Sequence, residues 1–213
     1  MDDVQSANDA AAAPVRKRPK PGERRIQILQ ALAAMLEQPA AERITTASLA
    51  ARLDVSEAAL YRHFASKAQM YEGLIEFIEQ SVFTLANQIV EREQGEGARV
   101  GERQCARIIA MLVQFAEKNP GMARVMVGDA LVFENERLQQ RMNQFFDKIE
   151  ALLKQCLRDN SAPGASTAPT VDAQVRAAVL AAFVVGRLQR FVRSGFRRQP
   201  SEHLEATLVV MLG

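Results

Sequence analysis

Between Ile44 and Phe64 two short helical stretches lie back to back, each opened by its own capping hydroxyl, and few folds accommodate that arrangement. The first follows Ile44-Thr45-Thr46 and runs to Leu53. A threonine caps it, and Leu49 and Leu53, four residues apart, fall on one face. Asp54-Val55-Ser56 leaves room only for a tight turn, and Ser56 caps the second stretch, from Glu57 through Tyr61 to Phe64. Upstream, Ile26, Leu29, Leu32, Ala33 and Leu36 recur at three- and four-residue steps until Pro39 ends the helix. Three short helices with a tight turn between the last two make a helix-turn-helix, whose second helix enters the major groove of double-stranded DNA.

The remainder continues in the same period. Ser66 caps a long helix running to about Glu93, which Gln94-Gly95-Glu96-Gly97 breaks. Further helices are expected over about Arg99 to Glu117, Met122 to Val127, Asn135 to Leu157, Val171 to Ser194 and Glu202 to Leu212. Asn119-Pro120-Gly121 is a stop, and residues 160–170 form a Ser/Ala/Pro/Gly-rich loop. No run alternates as a strand would, so the fold class is all-α. The expected organisation is a tail over 1–22, a DNA-binding unit over 23–70 and a larger helical domain over 71–213.

Charge supports the first assignment. The net charge of +2 is unevenly spread. Residues 16–70 carry ten Lys/Arg against five Asp/Glu, whereas residues 71–213 carry seventeen of each. A local basic excess beside a neutral body points to a polyanion. Arg18 and Lys20 belong to a short basic arm ahead of the first helix, placed to add sequence-independent attraction to DNA. No secretory leader pattern opens the chain, and its longest apolar run, Ala177 to Gly186, is about half of what a bilayer needs. A cytoplasmic protein without membrane contact is expected. Cys105 and Cys156 show no metal spacing and read as ordinary thiols.

The chemistry of the reading unit follows from residue type. Ala58 and Ala59 are small enough for close approach to a duplex, and Ser56 and Glu57 occupy the helical turn that meets base edges. Glu57 can accept a hydrogen bond from a cytosine amino group or cap its own helix. Thr45, Thr46, Tyr61 and His63 carry donors suited to phosphate oxygens. Lys67 combines its charge with the amino-terminal dipole of the fourth helix, a natural phosphate seat.

The runs Ile44-Thr45-Thr46-Ala47-Ser48-Leu49-Ala50, Val55-Ser56-Glu57-Ala58-Ala59-Leu60-Tyr61-Arg62-His63-Phe64 and Ser66-Lys67 resemble the DNA-binding domain of the TetR family. The resemblance implies that Thr45, Thr46, Ser56, Glu57, Ala58, Tyr61, His63 and Lys67 form the DNA face. Asp54 stands where that family's turn usually has Gly, a substitution Asp tolerates better than most residues.

Further blocks resemble the SlmA-like nucleoid occlusion proteins within that family. They are Leu74 to Ser81, Glu117 to Gly121, Gly128 to Glu134, Arg137 to Gln139 and Arg190 to Ser194. That resemblance implies a DNA-bound antagonist of the tubulin-like division protein FtsZ, localised to the nucleoid. It places FtsZ contacts on the fourth and fifth helices, here Phe77, Met111, Lys118 and Asn119. Plain core packing is the other reading of Phe77 and Met111, and helix termination the other reading of Lys118 and Asn119. Leu85 and Gln114 depart from the pattern, which has Arg and Gly there.

The Val171–Ser194 helix is apolar on most sides and must be buried. Pairing it with the last helix across a two-fold axis would give a homodimer, as the resemblance implies, with Val179, Phe183, Leu188 and Phe191 at the interface. Two reading helices about one turn of DNA apart then call for a near-palindromic site. With only His63 and His203, and no nucleophile or metal ligand beside the carboxylates, neither an enzyme nor a bound cofactor or metal is expected. The competing reading is a conventional ligand-responsive TetR-type repressor, which requires a cavity with converging polar groups in residues 71–213.

Overall fold

The computed structural model describes residues 22–38, 44–94, 99–159 and 169–213. The tail with Arg18 and Lys20, and most of the 94–97 and 160–170 segments, lie outside the described residues.

Three helices form the amino-terminal unit: α1 (Glu23–Leu36), α2 (Thr46–Arg52) and α3 (Glu57–Tyr61). The body contains α4 (Lys67–Arg92), α5 (Val100–Lys118), α6 (Pro120–Met126), α7 (Glu136–Asp159), α8 (Pro169–Arg193) and α9 (Leu204–Leu212). A 3₁₀ turn, Asp129–Leu131, links α6 to α7. The expected all-α class holds among the described residues. The main boundary difference is α6, which starts at Pro120, because proline at a first helical position loses no hydrogen bond.

One continuous core joins the two parts. Ile28, Leu32, Leu60 and Phe64 of the amino-terminal unit meet Met70, Leu74 and Ile75 of α4 in it. Within the body, α7 packs on α8, α5 and α4. Phe145 sits edge-on to Phe83 and Phe146, with ring centroids 5.6 and 5.1 Å away. Polar ties set the direction of each helix. Arg141 of α7 reaches Glu79 of α4 at 2.6 Å. Arg176 of α8 reaches Glu102 near the start of α5 at 3.3 Å. Ser201, beyond α8, donates through backbone and hydroxyl to Glu117 near the end of α5. α8 therefore runs alongside α5 in the same direction, and its carboxyl end lies at the α6 end of the body.

That end also holds the amino-terminal unit. α6 packs on α1, and Arg124 donates to the Leu36 and Gln38 carbonyls at 3.3 and 3.4 Å. The contact is close because residue 121 is Gly. A Cβ there would stand 2.1 Å from the Ala33 carbonyl oxygen. Both cysteines are free and buried. A hydrogen bond with Cys156, then burial, holds the Cys105 thiol far above the usual thiol range, so it is not a reactive thiolate.

Candidate DNA and partner interfaces

The helix-turn-helix is built by its caps. The Thr45 hydroxyl accepts from Ser48 N at 3.0 Å, and the Ser48 hydroxyl accepts from Thr45 N at 3.0 Å, closing a reciprocal capping box. Asp54 takes the left-handed conformation, φ 53°, that turns α2 into α3. Val55 N then donates to Ala50 O at 3.1 Å. Ser56 caps α3 by accepting from Ala59 N at 3.3 Å. Ser56, Glu57, Ala58, Tyr61 and His63 are all exposed on this unit, as a groove-reading surface requires.

Three residues expected at the DNA face also have protein partners. The Thr46 hydroxyl donates to the Glu57 carboxylate at 2.6 Å. One Glu57 oxygen is therefore engaged within the protein, and the cap of α3 is supplied by Ser56. It ties the start of α3 to the start of α2 and fixes their angle. Lys67 departs further from expectation. Its ammonium meets the Glu134 carboxylate at 2.5 Å, with the two side chains only 20% and 9% exposed. A lysine neutralised by a nearly buried carboxylate is not an open phosphate seat. It anchors the first turn of α4 to the segment before α7. Arg25, likewise, lies over the Phe64 ring at 4.1 Å and donates to the His63 carbonyl at 3.0 Å, fastening α1 to the end of α3.

The partner candidates on α4 and α5 divide. Phe77 is 48% exposed and Leu85, two turns on, is 41% exposed, so α4 presents two outward apolar side chains with Ser81 between them. Lys118 and Gln114 are exposed and Met111 is half-buried on α5. Asn119 is partly committed: its amide donates to the Phe115 carbonyl at 2.8 Å and ends the helix.

The candidate dimer surface requires a correction. Leu188 and Phe191 are 0% and 2% exposed and belong to the protomer's own core, so they cannot meet a second copy. Val171, Val175 and Val179 occupy the outward face of α8, and Val209 and Val210 that of α9, all more than half exposed. Phe183 is half-buried beside them, its ring 4.7 Å from the Arg187 guanidinium.

Sequence reasoning missed Glu134, Arg124 and Gly121, which fasten the amino-terminal unit to the body. Their partners are 67 or more residues away in the chain. The Thr46–Glu57 bond, eleven residues apart, was within reach of a two-helix register argument.

Comparison with known proteins agrees with this architecture. The model for bacterial regulatory proteins of the tetR family matches residues 28–74. The SlmA-like model, a tetracyclin repressor-like C-terminal domain, matches residues 103–212. The nucleoid occlusion factor SlmA of Idiomarina loihiensis is 50% identical over 88% of this chain and 93% of its own. That of Aliivibrio fischeri is 50% identical over 87% and 92%, and that of Vibrio vulnificus 49% over 87% and 92%. Among solved structures, the transcriptional regulator FadR of Bacillus subtilis, in complex with stearoyl-CoA, superposes with a TM-score of 0.65 at 13% identity. The match covers 88% of this chain and 97% of that one. FadR of Bacillus halodurans gives 0.63 at 14%, covering 93% and 97%. These two share the fold.

Proposed function

The chain belongs to the TetR family of DNA-binding regulators, within its SlmA-like group, and from that premise we propose that it is a nucleoid occlusion factor that antagonises FtsZ assembly when bound to DNA. The observation that carries the reading is the pairing of two outward surfaces on one rigid body. One is the exposed Ser56–His63 reading edge. The other is formed by the outward Phe77 and Leu85 of α4 with Met111 and Lys118 of α5, the helix packed on it. A sensor of small molecules keeps its ligand inside the body. Here the space between α4, α5, α7 and α8 is filled by Ile78, Val82, Ile108, Leu112, Phe145 and Ile149. The polar-lined cavity of about 590 Å³ lies away from that core, between the end of α8 and residues 198–207.

DNA is read as a homodimer. The α8 stripe of Val171, Val175 and Val179 with Val209 and Val210 of α9 forms the two-fold face, and Phe183 lies at its margin. Ser56, Ala58, Tyr61 and His63 meet the duplex. Thr45, Thr46 and Glu57 lie at the edge of the same surface, where the Thr46–Glu57 bond holds the start of α3 to the start of α2, and Arg18 and Lys20 add sequence-independent attraction. Two such units on one face of the duplex call for a near-palindromic site in the nucleoid.

The FtsZ surface is tested by Phe77→Asp combined with Lys118→Ala. Both side chains are exposed, so the fold and the retention of genomic duplex stay unchanged. Capture of FtsZ by the DNA-bound protein falls at least tenfold. Equal loss of DNA retention and FtsZ capture would make these residues structural and overturn the assignment.

A further inference from the structure

The carboxyl end of α8 carries a concentration of charge that the helix-turn-helix does not use. From Ala173 to Ser201 there are six arginines and no acid, and five of the six fall between Arg187 and Arg198. The rest of residues 71–213 holds eleven bases against seventeen acids, so the body is acidic apart from this end. Arg187 is engaged internally: it donates to the Pro200 and Glu202 carbonyls at 2.8 and 2.6 Å and to the Thr207 hydroxyl at 3.2 Å. Arg197 is held by the Ser194 carbonyl at 2.9 Å. Arg190, Arg193 and Arg198 are exposed and meet no carboxylate within 4 Å among the described residues.

Two left-handed residues shape the turn after α8. Gly195 and Phe196 both take left-handed conformations, φ 62° and 64°. Their amides close back on Val192 and Phe191 at 3.0 Å. The Phe196 ring packs 5.2 Å from the Phe191 ring, which offsets the strain of a bulky residue at positive φ. The turn therefore projects Arg198 beside Arg190, and the two share the wall of a cavity of about 590 Å³ with Arg187, Gln199, His203 and one acid, Glu202.

Location selects the partner. The Ser201–Glu117 bonds and the packing of α6 on both α8 and α1 place this end of the body beside the DNA-binding unit, not at the far end where α5 begins. Arg190 also lies on the outward face of α8, three and four residues on from Arg187 and Gly186. A two-fold pairing of α8 brings the two clusters toward each other between the reading helices. Like charges converging there repel unless a polyanion lies between them.

We propose that Arg190, Arg193 and Arg198 form a second DNA-contact surface, which binds the phosphate backbone of the segment between the two half-sites. The inference rests on the proposed dimeric DNA-binding reading. It adds sequence-independent affinity and leaves base readout to α3.

The test measures duplex affinity against salt by fluorescence anisotropy for the full chain and for Arg190→Gln/Arg193→Gln/Arg198→Gln. Arg103→Gln/Arg107→Gln, two exposed arginines at the opposite end of the body, serves as the charge control. Each lost phosphate contact lowers the slope of log K against log salt by about 0.9, and a symmetric dimer loses contacts in pairs. The triple variant is therefore expected to lose about 1.8 or more of slope on every duplex, with unchanged preference between specific and scrambled sites and an unchanged control. A slope equal to that of the unmodified chain overturns the proposal. So does an unchanged slope with weakened dimerisation by sedimentation, which assigns the arginines to cross-subunit ion pairs. An unchanged slope with reduced FtsZ capture overturns it in favour of an acidic protein partner. Failure of the unmodified chain to bind any duplex overturns the dimeric DNA-binding reading together with this one.

Discussion

Gly121→Ala is the most demanding test of how the amino-terminal unit is attached to the body. The added methyl would stand 2.1 Å from the Ala33 carbonyl oxygen, 3.0 Å from Ala33 C and 3.1 Å from Leu36 Cβ. A carbon and a carbonyl oxygen approach no closer than about 3.3 Å without strain, so α6 must withdraw from α1 by about 1 Å. The obstacle is helix backbone, which has no rotamer to change. Withdrawal also stretches the Arg124 bonds to Leu36 and Gln38, already 3.3 and 3.4 Å long. Overpacking of this kind costs about 1–3 kcal/mol, and weakened bonds from a charged donor add to it, for a total of about 2–4 kcal/mol. Helix propensity works the other way, since Ala is favoured over Gly by about 1 kcal/mol inside a helix and by less in a first turn. The net loss should lower Tm by roughly 5–15 °C for a chain of this size. Thermal unfolding by circular dichroism measures it, with Gly186→Ala as comparison. Gly186 has no atom of its own protomer within 4 Å of its would-be Cβ, so no steric cost arises within the protomer. Equal Tm values for Gly121→Ala and the unmodified chain, or equal losses for the two variants, would refute the close-contact reasoning.

Other consequences can be checked separately. Lys67→Ala leaves the Glu134 carboxylate nearly buried without its cation, and should cost about 2–4 kcal/mol in urea unfolding. Adding Glu134→Gln to that variant should recover at least half of the loss, and a phosphate-only role for Lys67 would produce neither effect. Val179→Asp should convert the dimer to protomers of unchanged helicity, read by analytical ultracentrifugation. Leu188→Ala should instead destabilise the protomer by about 2–5 kcal/mol, because it opens a cavity in the core. Finding the two phenotypes exchanged would return Leu188 to the interface.

The parts of the molecule legible in sequence are those governed by neighbours in the chain. Thr45 and Ser56 each cap a helix within three residues, so the helix-turn-helix was readable from hydroxyls and spacing. The left-handed turn at Asp54 was readable because one residue type out of place can be judged by its own backbone preference. The α8 face was not. A helix apolar on nearly every side announces burial without saying which side turns inward, and Leu188 and Phe191 point into the core while Val179 points out. Lys67 shows the same limit for charge. Its position at the start of α4 invites a phosphate, but the carboxylate that holds it comes from Glu134, in a segment no local pattern connects to it. The Thr46–Glu57 bond is not visible in sequence, because a polar residue on a reading unit has no evident partner until the helices are placed against one another.

The central claim is that DNA and FtsZ are engaged on separate faces of one body, and that DNA binding licenses the second activity. Sedimentation of FtsZ polymers with GTP tests it directly. The protein is added alone, with scrambled duplex, and with duplex selected from genomic fragments it retains. Polymer should be lost only with the retained duplex and restored by Phe77→Asp with Lys118→Ala. Polymer unaffected under all three conditions, with the retained duplex tightly bound, would contradict it.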